Sequence, residues 1–105
     1  NTNNWVSHNC PTLTGTAWTH IVGTWDGSTV TCYKNGVAGI NPQAKTGTIP
    51  ANQLEPINIG ASTMSPTPDQ YFIGVIDEVG LWDRALTQTE INTLYNGGNG
   101  LTYTP

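Results

Sequence analysis

Charge is scarce in this chain. Only 10% of its 105 residues are Asp, Glu, Lys or Arg, against ~25% in an average soluble domain. Two lysines and one arginine cannot supply the phosphate contacts on which nucleic-acid affinity rests, so nucleic acid is excluded as a partner. No apolar run approaches the ~20 residues of a membrane-spanning helix. No leader pattern is visible, as expected of a mature chain or a fragment. The seven acids leave a net charge of −4. Uncharged polar residues fill the space that charge leaves, with 17 Thr, 11 Asn and 12 Gly. That mixture favours strands and turns over long helices. Four Trp and four Tyr, with many Val and Ile, argue against disorder.

Asn1 to Thr16 is weakly patterned and reads as an irregular segment or the end of a preceding strand. Ala17 to Trp25 reads as a strand. Trp18, His20, Val22 and Thr24 share one face, and Thr19, Ile21, Gly23 and Trp25 the other. Apolar residues on both faces predict an inner strand. Asp26-Gly27-Ser28 is a turn, and Thr29 to Lys34 a second strand. Asn35-Gly36 then predicts a tight hairpin returning through Val37 to Ile40, because a type I′ turn needs positive φ at both central residues. Pro42 to Pro56 reads mostly as connection, Ile57 to Gly60 as a short strand, and Ser62 to Gln70 as a Pro-bearing surface loop.

Tyr71 to Trp82 alternates over twelve positions and is the longest strand expected. One helix follows. Thr87 and Glu90 are spaced as a capping box, with Leu86 and Ile91 as its hydrophobic staple. Leu94 and Tyr95 continue the apolar stripe, and Asn96-Gly97-Gly98 ends it. Leu101 to Tyr103 is expected as a last strand. No internal repeat is present. Many short strands, Gly-rich turns and one late helix form a β-sandwich pattern.

The residues also resemble a known family. Trp18-Thr-His-Ile-Val-Gly-Thr-Trp-Asp-Gly-Ser28 is similar to a strand and turn of laminin-G-like domains. Tyr33 to Val37 resembles their hairpin, and Ile57 to Gly60 a later strand. Phe72 to Thr87, with Ile76-Asp77-Glu78-Val79 and Arg84-Ala85-Leu86, resembles their last strand and turn; Glu90-Ile91 and Leu94-Tyr95 resemble their final helix. The motifs keep the family's order over about residues 17–96. The resemblance implies an all-β, concanavalin-A-like jelly roll of antiparallel sheets, with one short helix near 87–95. These motifs belong to the C-terminal half of that domain. Residues 17–105 are therefore expected to be the C-terminal part of a laminin-G-like sandwich. A missing N-terminal half, or a neighbouring chain, would complete its sheets; the alternative is a complete miniature.

The resemblance also implies calcium, with Asp77 as a ligand, since the acid of the late strand often binds a structural ion there. The other reading has Asp77 accepting backbone hydrogen bonds. Asn58, Asp69, Gln70 and Tyr71 are expected to contact a ligand, the amides and the carboxylate by hydrogen bonding and the ring by stacking. A solvated loop is the simpler account of Asp69. Trp5, Trp82 and Tyr33 are further stacking candidates against a packing role. His20 is read as packing, since zinc needs three or four convergent ligands. In so uncharged a chain a Cys10–Cys32 disulfide is favoured over free thiols, which would pin the N-terminal segment to the hairpin. The alternative leaves Cys32 as an inward core residue.

A glucanase needs a close pair of carboxylates. The adjacent Asp77 and Glu78 are expected on opposite strand faces, and the E-x-D-x-x-E spacing of resembling glucanases is missing. No nucleophile elbow or phosphate loop is present. The expectation is a non-catalytic carbohydrate-binding or adhesion module, extracellular or on a cell or virion surface, whose partner is a glycan or surface protein. The alternative is a structural or decorating subunit of a virion, fibre or surface layer, completed by neighbouring chains.

Overall fold

Asn35 and Gly36 adopt φ of 49° and 79°, the left-handed pair that a tight hairpin turn requires. In the computed structural model, which describes residues 10–48, 57–62 and 70–102, this turn joins β2 (Thr29–Lys34) to β3 (Val37–Ala38), with Lys34 opposite Val37. Strand β1 (Ile21–Trp25) pairs antiparallel with the other edge of β2, Ile21 opposite Lys34 and Trp25 opposite Val30. Between β1 and β2, the Asp26 carboxylate accepts the backbone N–H groups of Ser28 at 2.9 Å and Thr29 at 2.8 Å. A fourth strand, β4 (Gln43–Ala44), pairs with the start of β2 on the same side as β3, in the segment expected to be connection. The Trp25 indole N–H donates to the Lys45 carbonyl at 2.8 Å and ties β4 back to β1.

Strand β2 is thus central, and its Cys32 is 1% exposed. The expectation of an inner strand at Ala17 to Trp25 is corrected. Only Ile21–Trp25 is strand, and it is an edge of this sheet among the described residues. Ile21 and Gly23 are exposed while Val22 and Thr24 are half-buried, the alternation of a sheet with one covered face. Cys10 and Cys32 are joined by a disulfide, and Lys34 Nζ donates to the Thr12 carbonyl at 2.7 Å. Together they fasten the irregular segment before β1 to β2.

Helix α1 (Gln88–Tyr95) begins as the sequence predicts. The Thr87 hydroxyl accepts the Glu90 N–H at 3.2 Å, and the Glu90 carboxylate accepts the Thr87 N–H at 2.8 Å. Leu86 and Ile91, the staple pair, are 8% and 0% exposed. Asn96, at φ 49°, ends the helix in the left-handed conformation and opens a 3-10 turn, Asn96–Gly98. One face of α1 meets the hairpin. The Gln88 amide donates to the Gly36 carbonyl at 2.6 Å. A Cβ at Gly36 would lie 3.0 Å from Asn92 Oδ1 and 3.4 Å from the Tyr95 ring, so turn conformation and close approach both demand glycine. His20 stacks on Tyr95 with ring centroids 6.0 Å apart, the packing role read from the sequence. Burial lowers the His20 pKa below its ordinary 6.5.

The chain divides into two units, Asn1–Thr48 with Leu81–Pro105, and Ile49–Gly80. The sheet and helix above belong to the first. The second holds a two-stranded antiparallel sheet of β5 (Ala61–Ser62) and β6 (Gln70–Tyr71), with Ala61 opposite Tyr71 and Ser62 opposite Gln70. The Phe72 N–H extends the ladder to the Gly60 carbonyl at 2.8 Å. The expected strand at Ile57 to Gly60 lies instead at Ala61–Ser62, beyond a turn in which Gly60 takes φ 80°. The long strand expected from Tyr71 to Trp82 is also corrected. Only Gln70–Tyr71 is strand, and beyond the Phe72 hydrogen bond the alternating residues find no ladder partner among the described residues. Glu78, at φ 52°, interrupts the extended run. Leu101 and Thr102 are not strand, and the remainder of that expected strand lies outside the described residues. Two antiparallel sheets with one short helix make an all-β fold of the jelly-roll type.

Candidate functional site

The residues singled out in the sequence fall at different places. Tyr71 is fixed by the β5–β6 ladder and is 64% exposed. Gln70 is its chain neighbour, and strand alternation sends the two side chains to opposite faces, so a single sugar ring would meet one of them. Asn58 is exposed and precedes β5 by a turn. Asp69 lies outside the described residues, as does Trp5. Asp77 is exposed, and its carboxylate accepts the Glu78 N–H at 2.8 Å, the backbone role weighed for it. Calcium takes six to eight oxygen ligands. No group of three His, Cys, Asp or Glu side chains gathers among the described residues.

The first unit carries a surface groove that motif reading did not assemble. Its origin is helical spacing. On α1, positions 88, 91, 92 and 95 are three or four apart and share the face toward the hairpin. Positions 89, 90, 93 and 94 share the next face, and there they line a groove of about 280 Å³. Leu86 and Leu94 make its apolar floor with Trp82, which is 51% exposed. Thr89 and Thr93 supply hydroxyls. The Thr93 hydroxyl donates to the Thr89 carbonyl at 3.0 Å and keeps its lone pairs.

Arg84 and Glu90 complete the lining. The guanidinium meets the carboxylate in a two-point fork, Nη2 to Oε1 at 2.6 Å and Nη1 to Oε2 at 2.8 Å. Oε2 also accepts the Thr87 N–H. The Arg84 hydrogen bonds, then that N–H, hold the Glu90 carboxyl down from its ordinary 4.5 to about 2. A lowered carboxyl pKa stabilises the fold wherever the acid would be ionised in the unfolded chain, above pH 4.5. That contribution fades as pH falls from there through about 2. Both side chains are exposed, so screening keeps it modest. With Arg84→Gln, the Glu90 carboxyl titration followed by NMR should return toward 4.5; a value still near 2 would mean that the capping N–H alone depresses it.

The sequence marks Arg84 as part of a family motif, Glu90 as a cap and Trp82 as a stacking candidate. What joined them was legible only in part. The six-residue step from Arg84 to Glu90 crosses a turn and a helix start, so periodicity does not place the two together.

Comparison with known proteins follows the same lines. A laminin-G family model described as the Concanavalin A-like lectin/glucanases superfamily matches residues 1–92. The structure is similar to that of an S-layer domain-containing protein (residues 221–444) from Clostridium thermocellum, with a TM-score of 0.66 and 30% sequence identity. The match covers 82% of this chain and 42% of that structure, so the chain spans less than half of it. A search of curated proteins finds no match.

Proposed function

Because the chain belongs to the Concanavalin A-like lectin/glucanase superfamily, we propose that it is a non-catalytic carbohydrate-binding or adhesion module working at a cell surface. The observation that carries this reading is Tyr71. A ring that could have been packed inside is held by a strand ladder with most of its surface in water. A flat aromatic body with a polar tip suits the CH face and hydroxyls of a pyranose ring. Asn58 and Asp69 are proposed to hydrogen-bond that ring, and Gln70, on the opposite strand face, to meet another part of the glycan. The disulfide suits an oxidising, extracellular setting. Low charge limits non-specific attraction, and neutral glycans are the proposed ligands.

The test is a glycan array probed with the full chain, with calcium and with a chelator. Binding to neutral glycans that drops at least tenfold in Tyr71→Ala supports the reading, since about 1.4 kcal/mol is tenfold. Loss of that binding in chelator would add Asp77 and calcium to the site. No binding to any glycan would sink the reading.

Two observations favour a second reading, in which the chain is a structural or decorating subunit of a surface assembly. The similar solved structure is an S-layer domain-containing protein. In addition, Ile57, Ile73, Val75 and Leu81 are each at least 73% exposed, and apolar side chains so placed suit burial by neighbouring strands. Ordered arrays formed by the chain without any glycan binding would favour it.

A further inference from the structure

The geometry points to a second carbohydrate subsite, in the groove between Trp82 and helix α1, that takes one neutral pyranose ring. The inference rests on the carbohydrate reading for its ligand class, but on a different surface for its residues.

Three observations carry it. The first is the lining. Trp82, Leu86 and Leu94 offer an apolar wall, and the half-exposed indole leaves a face for stacking. Small-molecule sites are mostly apolar with a few convergent polar groups, and a sugar ring, apolar on its CH face and polar at its rim, matches that division.

The second is the unspent hydrogen bonding. Arg84 has five N–H donors. Two go to Glu90 and one reaches the Ala85 carbonyl at 3.4 Å, so donors are left over. Glu90 has about four lone-pair sites, and three are taken by Arg84 and the Thr87 N–H. The Thr89 hydroxyl has no partner among the described residues, and the Thr93 hydroxyl can still accept. Leftover donors and acceptors side by side are what adjacent sugar hydroxyls need, because each hydroxyl both donates and accepts.

The third is charge. The Arg84–Glu90 pair is neutral as a unit, and the chain carries −4 overall. An anionic sugar gains no net attraction here and meets an acidic protein. The volume of about 280 Å³ falls just below the ~300–1,000 Å³ range of ligand pockets, which leaves room for one ring rather than a chain of them.

The experiment is an NMR titration of the ¹⁵N-labelled full chain with the methyl glycosides of glucose, mannose and galactose, and with glucuronate. The account expects the Trp82 indole N–H resonance to shift saturably with at least one neutral glycoside and to stay put with glucuronate. Trp82→Ala should weaken that binding at least tenfold, while Trp82→Phe, which keeps a stacking face, should retain most of it. Should Trp82→Ala not fold, Thr89→Val carries the test: it lies at an exposed helix position outside the cap, and it should weaken binding severalfold. Glucuronate binding as tight as the neutral glycosides would overturn the inference, as would affinity unchanged in Trp82→Phe, Trp82→Ala and Thr89→Val alike. Shifts confined to Tyr71 and its neighbours would remove this subsite and leave the carbohydrate reading standing. Absence of any shift with any sugar would remove both.

Discussion

Truncating Ile91 to alanine should destabilise the protein by about 3 kcal/mol, within the range for buried Ile→Ala changes. Ile91 is 0% exposed, and Leu86 and Cys32 are the other buried apolar residues among those described. A core this small has little slack. Ile91 sits at the crossing of three local decisions. It is the staple partner of Leu86, it follows the Glu90 cap, and it lies on the helix face that meets the hairpin turn. Removing its side chain leaves a void in a helix whose start is fixed by the capping box and whose neighbouring residues Asn92 and Tyr95 lie close to Gly36. Urea unfolding is the measurement. The midpoint should fall while the slope stays constant, as for a change in stability alone. Ile91→Val should cost only about 1 kcal/mol. A loss below about 1 kcal/mol in Ile91→Ala would mean that the helix is not seated on the hairpin as described.

Opening the Cys10–Cys32 disulfide should cost about as much. The bond closes a loop with a sequence separation of 22, for which chain entropy gives about 3 kcal/mol. For a domain near this size that lowers Tm by on the order of 15 °C. The chain also loses the tie that, with the Lys34–Thr12 hydrogen bond, holds the irregular segment to β2. Reduction is a cleaner test than substitution, because Cys32 is 1% exposed and a serine there would bury a hydroxyl. Thermal unfolding with and without reductant reads the effect. Equal midpoints would show that the crosslink constrains nothing the unfolded chain does not already avoid.

Local signals in the sequence were the ones that translated into structure. Asn35-Gly36 specifies its own backbone angles, so the hairpin forms where the dipeptide stands. Thr87 and Glu90 satisfy each other's N–H groups, so the helix starts there. The two cysteines, read as a pair, are one. Signals that need a partner fared differently. Tyr71 to Trp82 alternates as a strand should, yet alternation says only which face is apolar, and a ladder needs a second strand to bond to. Beyond Phe72 none is present among the described residues, and Ile73 is 97% exposed. β4 escaped notice because Gln43-Ala44 has no strand pattern; it is recruited by the free edge of β2 and by the Trp25 indole. Of the site, Tyr71 was legible as an aromatic next to a loop. The Trp82 groove was not, since it arises from two helix faces that only the docking of α1 distinguishes.

Saturation-transfer difference NMR with a mixture of neutral oligosaccharides tests the central claim most directly. Aromatic protons of the full chain are irradiated, and the sugar ring protons are observed. A carbohydrate-binding module with exposed aromatic contacts passes saturation to the CH face of at least one sugar, and the transfer falls away in Tyr71→Ala, in Trp82→Ala or in both. No transfer to any sugar, from a chain whose buried Ile91 methyl signals show it folded, would contradict the account and leave the surface-assembly reading in its place.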